Sequence, residues 1–137
     1  MADTVKKCAY FSMDVPNRRG EGARILSTLA KAGVNLIAFT GFPHGRKAQV
    51  DFVPDRTAAF LAAARKAKLK ISARKTCFLV QGGDRTGAVA SVLGKLAKAG
   101  INVTAIDAVS AGKKRYAAIL WVKPKDVSKA ARTMRAK

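Results

Sequence analysis

The sequence predicts an α+β chain of two βαββαβ modules, each with an antiparallel sheet and helices on one face, the second module lacking its last strand. Three observations carry this. Leu29, Ala30, Lys31, Ala32, Gly33, Val34, Asn35 and Leu36 return as Leu96, Ala97, Lys98, Ala99, Gly100, Ile101, Asn102 and Val103, an offset of 67 from Leu29 to Leu96. The same offset pairs Arg18 with Arg85, Gly20 with Gly87, Ala23 with Ala90, Leu26 with Leu93, Ala38 with Ala105 and Gly45 with Gly112. Finally, alternating strand-like runs and stripes at helical spacing follow one another in the same order in both copies. The implied modules are residues 1–74 and 75–137, each near the lower size limit for an independent core, so the two are expected to share a sheet or an interface.

In the first copy, Tyr10 to Val15 alternates as a strand does, and Pro16 to Gly20 reads as a loop leading into a helix. Ile25, Leu26, Leu29 and Ala32 form one helical stripe, and Gly33 stands where a cap with positive φ is expected. Val34 to Thr40 is rich in β-branched and aromatic residues, Phe42 to Gly45 turns the chain, and Lys47 to Val53 alternates again, which makes a hairpin. Pro54 and Asp55 are expected to open a second helix through about Lys68, with Phe60, Leu61 and Ala64 inward. Leu69 to Arg74 supplies a fourth strand, completing the split βαβ pattern of ferredoxin-like folds.

The second copy repeats the order. A strand at Thr76 to Gln81 and a loop at Gly82 to Thr86 precede a helix from Gly87 to Ala99, with Val89, Val92, Leu93 and Leu96 inward. Strands Ile101 to Val109 and Arg115 to Lys123 form the hairpin around Gly112, and Val127, Ala130, Ala131 and Met134 make a last helical stripe. No fourth strand remains. Its absence leaves the second sheet short by one edge strand, unless Leu69 to Gln81 runs as one long element serving both copies. The run Arg115 to Lys123 is apolar on both faces, and helices cover only one of them. The other is expected to lie against the first module or a second copy of the chain, which predicts a homodimer.

Composition narrows the function classes. Apolar residues make up 49% of the 137, which argues against disorder. No stretch approaches the roughly 18 apolar residues of a membrane span, and Met1 to Lys7 lacks the apolar core of a signal peptide, so a cytoplasmic protein without membrane contact is expected. Cys8 and Cys77 sit in strand-like runs without metal-binding spacing and read as buried thiols. No metal site or cofactor is predicted. Lys and Arg number 27 against 8 Asp and Glu, a net charge of +19, which attracts polyanions or simply solvates the surface.

Catalysis finds little support. The single histidine, His44, has no counterpart in the second copy, the carboxylates are scattered, and no serine or cysteine lies in an acid–base pattern, so no catalytic residue is assigned. What recurs is a polar loop at a helix start: Asn17, Arg18, Arg19 and Gly20 in one copy, Asp84, Arg85, Thr86 and Gly87 in the other. Unpaired N–H groups at a helix N-terminus suit a carboxylate, and the Asn17 or Asp84 oxygen can accept from an ammonium group. An amino acid carries both groups. The alternative is that Asn17 and Asp84 merely cap their helices.

The loop D-R-x-G before an amphipathic helix, followed by L-A-K-A-G-I-N-V opening the next strand, resembles the ACT domain, a small amino-acid-binding regulatory module. Asp84 to Gly87 with Leu96 to Val103 match that pattern closely, and Asn17 to Gly20 with Leu29 to Leu36 match with Asn replacing Asp. The resemblance covers nearly the whole chain as a tandem pair. It implies an effector, commonly an amino acid, held between one module's loop and the adjoining module's second strand: Asn17, Arg18, Arg19, Gly20 and Asn102 at one site, and Asp84, Arg85, Thr86, Gly87 and Asn35 at the other. The family regulates an attached enzyme, transporter or DNA-binding domain, and this chain is expected to act alone or through a partner protein in trans.

RNA-recognition domains share the βαββαβ order and are the rival class. Lys47 to Val53 and Lys114 to Leu120 lack the paired aromatics such domains use to stack bases. Nonspecific contact with nucleic acid or another polyanion would fall on the basic hairpin tips, Arg46 and Lys47 in one copy, Lys113, Lys114 and Arg115 in the other; the alternative there is a pair of solvated turns.

Overall fold

A computed structural model describes residues 3–137. The element order is β1 (Thr4–Pro16), α1 (Glu21–Lys31), β2 (Leu36–His44), β3 (Lys47–Pro54), α2 (Thr57–Lys66), β4 (Lys75–Gly83), α3 (Ala88–Lys98), β5 (Val103–Gly112), β6 (Arg115–Val122) and α4 (Val127–Met134), the last entered through a 3-10 turn at Pro124–Asp126. The predicted α+β class with two ferredoxin-like modules is what the chain adopts. Two compact units form, one from residues 9–75 and the other from residues 76–137 joined by the N-terminal residues up to Cys8.

In the unit of residues 9–75, β3 lies between β1 and β2, antiparallel to both, with Phe11 opposite Phe52 and Phe39 opposite Phe52 on the other side. Ile25 and Leu29 of α1 and Phe60, Ala63 and Ala64 of α2 close over Phe11, Met13, Val15, Val50 and Phe52. Phe60 stacks on Phe11 with centroids 5.1 Å apart and tilts against Phe52 at 5.3 Å. Full burial of one phenylalanine contributes about 1.5–3 kcal/mol, so this aromatic trio anchors the unit. Helix α1 ends as its sequence indicates, with Gly33 at φ 78.

The second unit repeats the plan. Strand β6 lies between β4 and β5, antiparallel to both. Ala88, Val92 and Leu96 of α3 and Ala130 and Met134 of α4 pack on Phe78, Val80, Tyr116, Ala118, Leu120 and Val122. No strand follows α4, as expected, and the place of the fourth strand is taken by the first part of β1: the Thr4 hydroxyl donates to the Gln81 carbonyl at 3.4 Å, and Val5 joins the core of this unit. On its other side the Lys7 amide donates to Lys137 and the Lys137 amide to Val5, both at 3.0 Å. Strand β1 is therefore longer than Tyr10 to Val15 and serves both units in turn.

Two elements differ from expectation. The second helix begins at Thr57, because Pro54 still closes β3 and Arg56 is extended at φ −121. Leu69 to Arg74 forms no regular strand. It follows Lys68 at φ 58 and is tied to β1 through Ser72, whose amide donates to the Ser12 carbonyl at 2.8 Å while its hydroxyl takes the Ser12 amide at 2.9 Å. A side chain thus fills the place of a backbone carbonyl, and the ladder does not propagate. On β6, Ile119 and Trp121 of the second face are already buried within one chain, both at 7% exposure, so this strand gives no reason of its own for a second copy. Cys8 and Cys77 are both buried. No helix among the described residues is long and apolar enough to cross a membrane.

Candidate functional site

Helices α1 and α3 both start from a glycine in the left-handed region, Gly20 at φ 89 and Gly87 at φ 83, and neither first turn receives a side-chain cap. Asn17 and Asp84 therefore do not cap these helices. Glycine suits the position because a side chain at such φ is strained. The consequence is chemical: the Arg18 and Arg85 carbonyls take the Glu21 and Ala88 amides at 3.4 and 3.2 Å, and the N–H groups that follow in each first turn receive no side-chain acceptor from the loop.

The loop of the second copy is held in place. The Asp84 amide donates to the Lys114 carbonyl at 2.8 Å, and the Ser110 hydroxyl donates to Asp84 Oδ2 at 3.1 Å. Asp84, Arg85 and Gly87 line a cavity of about 330 Å³ together with Ala108, Val109 and Ser110 of β5. A cavity of that size falls within the range of small-molecule sites. Thr86 is exposed in the same loop, and Asn102 is exposed ahead of β5 in this unit. Asn35 is exposed ahead of β2 in the other unit, where its carbonyl accepts from the Asp55 amide at 2.9 Å.

In the first copy, Asn17, Arg18, Arg19 and Gly20 are all exposed. The Arg18 guanidinium lies 3.5 Å from Glu21, which also takes Arg24 at 2.9 Å. The hydrogen bond from Arg24, more than opposing burial, holds the Glu21 carboxyl below its usual range. An internal carboxylate thus already answers Arg18 at the start of α1. His44 lies 3.6 Å from Asp14 on this unit's surface. The basic tips, Arg46 and Lys47 on one hairpin and Lys113, Lys114 and Arg115 on the other, are exposed, with Lys113 at φ 53 and Lys114 at φ 58.

The arginine of the second loop is answered in the same manner from farther away. Arg85 Nη1 lies 3.1 Å from Asp3 Oδ1 and 2.9 Å from the Gly83 carbonyl, and Arg85 Nη2 lies 3.4 Å from Asp3 Oδ2. The Tyr116 hydroxyl donates to Asp3 Oδ2 at 2.8 Å. Burial opposes charge on Asp3, but the bonds from Arg85 and Tyr116 outweigh it and hold the carboxyl below its usual value. Burial, with the Asp3 carboxylate second, pushes Tyr116 up to about 12. Sequence reasoning missed Asp3, Ser110 and Tyr116. Asp3 precedes every motif, and the other two sit in strands whose apolar alternation hides a polar role. Among the described residues no group of His, Cys, Asp or Glu is arranged to hold a metal.

No family model matches the chain, and no curated protein matches it by sequence. Solved structures do match. A protein from Bacteroides thetaiotaomicron superposes with a TM-score of 0.80 at 16% identity, over 97% of this chain and 88% of that one. The ligand-free regulatory subunit of aspartate kinase from Thermus thermophilus gives 0.66 at 16% identity, over 98% and 95%, and that from Thermus flavus 0.63 at 18%, again over 98% and 95%. At these identities the likeness is one of fold.

Proposed function

We propose that the chain is a regulatory protein without catalytic activity of its own, which binds an amino acid at the Asp84–Gly87 loop and acts on a partner protein in trans. The observation that carries this is the pre-set Asp84, held by Ser110 and the Lys114 carbonyl beside a cavity of about 330 Å³ and an uncapped α3 N-terminus. Asp84 offers an acceptor for an ammonium group, and the first turn of α3 offers N–H donors to a carboxylate. The fold shared with regulatory subunits of aspartate kinase supports the same role. The first loop, Asn17 to Gly20, is the second such site in this proposal, altered by the Glu21 carboxylate already at Arg18. The proposed protein is cytoplasmic and needs no cofactor. It pairs as a homodimer through exposed apolar residues on strands that pair on one side only within their units, Phe42 on β2 and Val109 on β5.

A thermal-shift screen of amino acids and nucleotides at near-physiological salt tests the proposal. An effector at a hundredfold excess over its dissociation constant stabilises the protein by about 2.7 kcal/mol. Asp84→Ala is expected to weaken that effector about tenfold, the loss of one charge-assisted hydrogen bond, while the protein stays folded. If no amino acid shifts the transition, or Asp84→Ala leaves the affinity unchanged, the reading is wrong. A salt-dependent shift with any nucleic acid, lost on neutralising Arg46, Lys47, Lys113, Lys114 and Arg115, would replace it with nonspecific polyanion binding.

A further inference from the structure

A larger cavity, of about 630 Å³, opens in the unit of residues 76–137 between α3, α4 and the N-terminal strand. Its lining gathers four cations from separate segments: Arg85 from the loop, Lys95 from α3, and Arg135 and Lys137 after α4. Ser91 adds a hydroxyl, while Val92 and Met134 give it an apolar floor. Asp3 is the one carboxylate among the described lining side chains. Asp3 already answers Arg85, and an anion with more than one charge answers the remaining cations, which carry the same sign around one hollow.

The surroundings of Asp3, which lines the cavity, show how an anion would be held. The Asp3 carboxylate takes both Arg85 nitrogens on one side and the Tyr116 hydroxyl at 2.8 Å on the other. Beneath it lies Gly82, where an added Cβ would collide with that carboxylate. Arginine and phenol donors around a carboxylate, over a position only glycine leaves open, make a built receptor, and Asp3 sits in it as an internal occupant. Arg135 ends α4 in the left-handed conformation usual for a helix C-cap, with its amide donating to the Arg132 carbonyl at 3.2 Å.

We infer that this cavity is a second ligand site, sharing only Arg85 with the cavity at the Asp84 loop, for a small molecule bearing at least two anionic groups. One group displaces Asp3 from Arg85 and Tyr116, and the others are met by Lys95, Arg135 and Lys137. The site stands whether or not the loop binds an amino acid. Asp3 acts as a competitor carried on the chain itself.

Calorimetric titration of the full chain with inorganic pyrophosphate and, separately, with citrate at about 150 mM salt tests this. Saturable binding of one molecule per chain is expected. Tighter binding of pyrophosphate marks a phosphate ligand and tighter binding of citrate a carboxylate one. Asp3→Asn removes the competitor and is expected to tighten binding about tenfold. Lys95→Gln and Arg135→Gln each weaken it about tenfold. Lys31→Gln and Lys66→Gln, in the other unit, remove the same charge and leave it unchanged. Binding absent from both native chain and Asp3→Asn, unaltered affinity in Asp3→Asn, or equal weakening by the two control variants would each overturn the assignment.

Discussion

Gly82→Ala gives the sharpest test of how the N-terminal residues are held. The new methyl collides with the Asp3 carboxylate and comes within 3.1 Å of Tyr116 Cε1. The carboxylate is the end of a short side chain, so it yields by leaving Arg85 and Tyr116. Two interactions go with it. The Tyr116 bond, to a charged acceptor only 13% exposed, is worth about 1.5–3 kcal/mol. The Arg85 pair, with the guanidinium 44% exposed, adds little after solvent screening. Because the released carboxylate regains water, a net loss of about 2 kcal/mol is expected. Urea unfolding followed by the fluorescence of Trp121, the chain's single tryptophan, reports on the right unit. The decisive comparison is the double-mutant cycle with Asp3→Ala. There the methyl meets no carboxylate, and alanine gains about 0.5–1 kcal/mol over glycine in a strand, offset by the crowding at Tyr116. Gly82→Ala should then cost close to nothing, a coupling of about 2 kcal/mol. An equal cost in both backgrounds would refute the packing of Asp3 over Gly82.

Lys113 and Lys114 form a two-residue hairpin turn with both φ values positive, between Gly112 and Arg115, so Lys114→Gly should raise stability by about 0.5–1 kcal/mol in urea unfolding while Lys114→Ala does not. Asp3 has a folded-state pKa below its ordinary 3.8, since Arg85 and Tyr116 overcome the effect of burial; its ionised form favours the folded state above that value, and the benefit is lost as pH falls through the folded one. Acid unfolding of Asp3→Asn should accordingly be less steep than that of the native chain below about pH 4.

The repeat made most of the fold legible. Residues as unlike as Asn35 and Gly33 recur in register with Asn102 and Gly100, so an element read in one copy supported its partner, and the glycine-ended helices came out as expected. Leu69 to Arg74 misled because β-propensity does not reveal that the Ser72 hydroxyl, rather than a carbonyl, will meet the Ser12 amide. The dual service of β1 was hidden for a related reason. Alternation in Thr4 to Cys8 announces a strand but not which neighbour it will join, and pairing with residues some 77 positions away leaves no local mark. At the candidate site, Asp84 and Arg85 stood out because their loop recurs. Ser110, Tyr116 and Asp3 converge on them only through long-range folding, so the loop was visible and its surroundings were not.

The divided use of β1 bears on the order in which this chain becomes structured. During synthesis Thr4 to Cys8 emerge ahead of residues 9–75, yet their companions β4, β6 and α4 emerge after them. Residues 9–75 can condense as soon as they emerge, while Thr4 to Cys8 wait as an unmatched ribbon until residues 76–137 have followed. Lys137 then completes the arrangement, since its amide and carbonyl flank Val5 and Lys7. Segments more than a hundred residues apart thus settle together, and cutting the chain between the two copies would strand Thr4 to Cys8 with the wrong half.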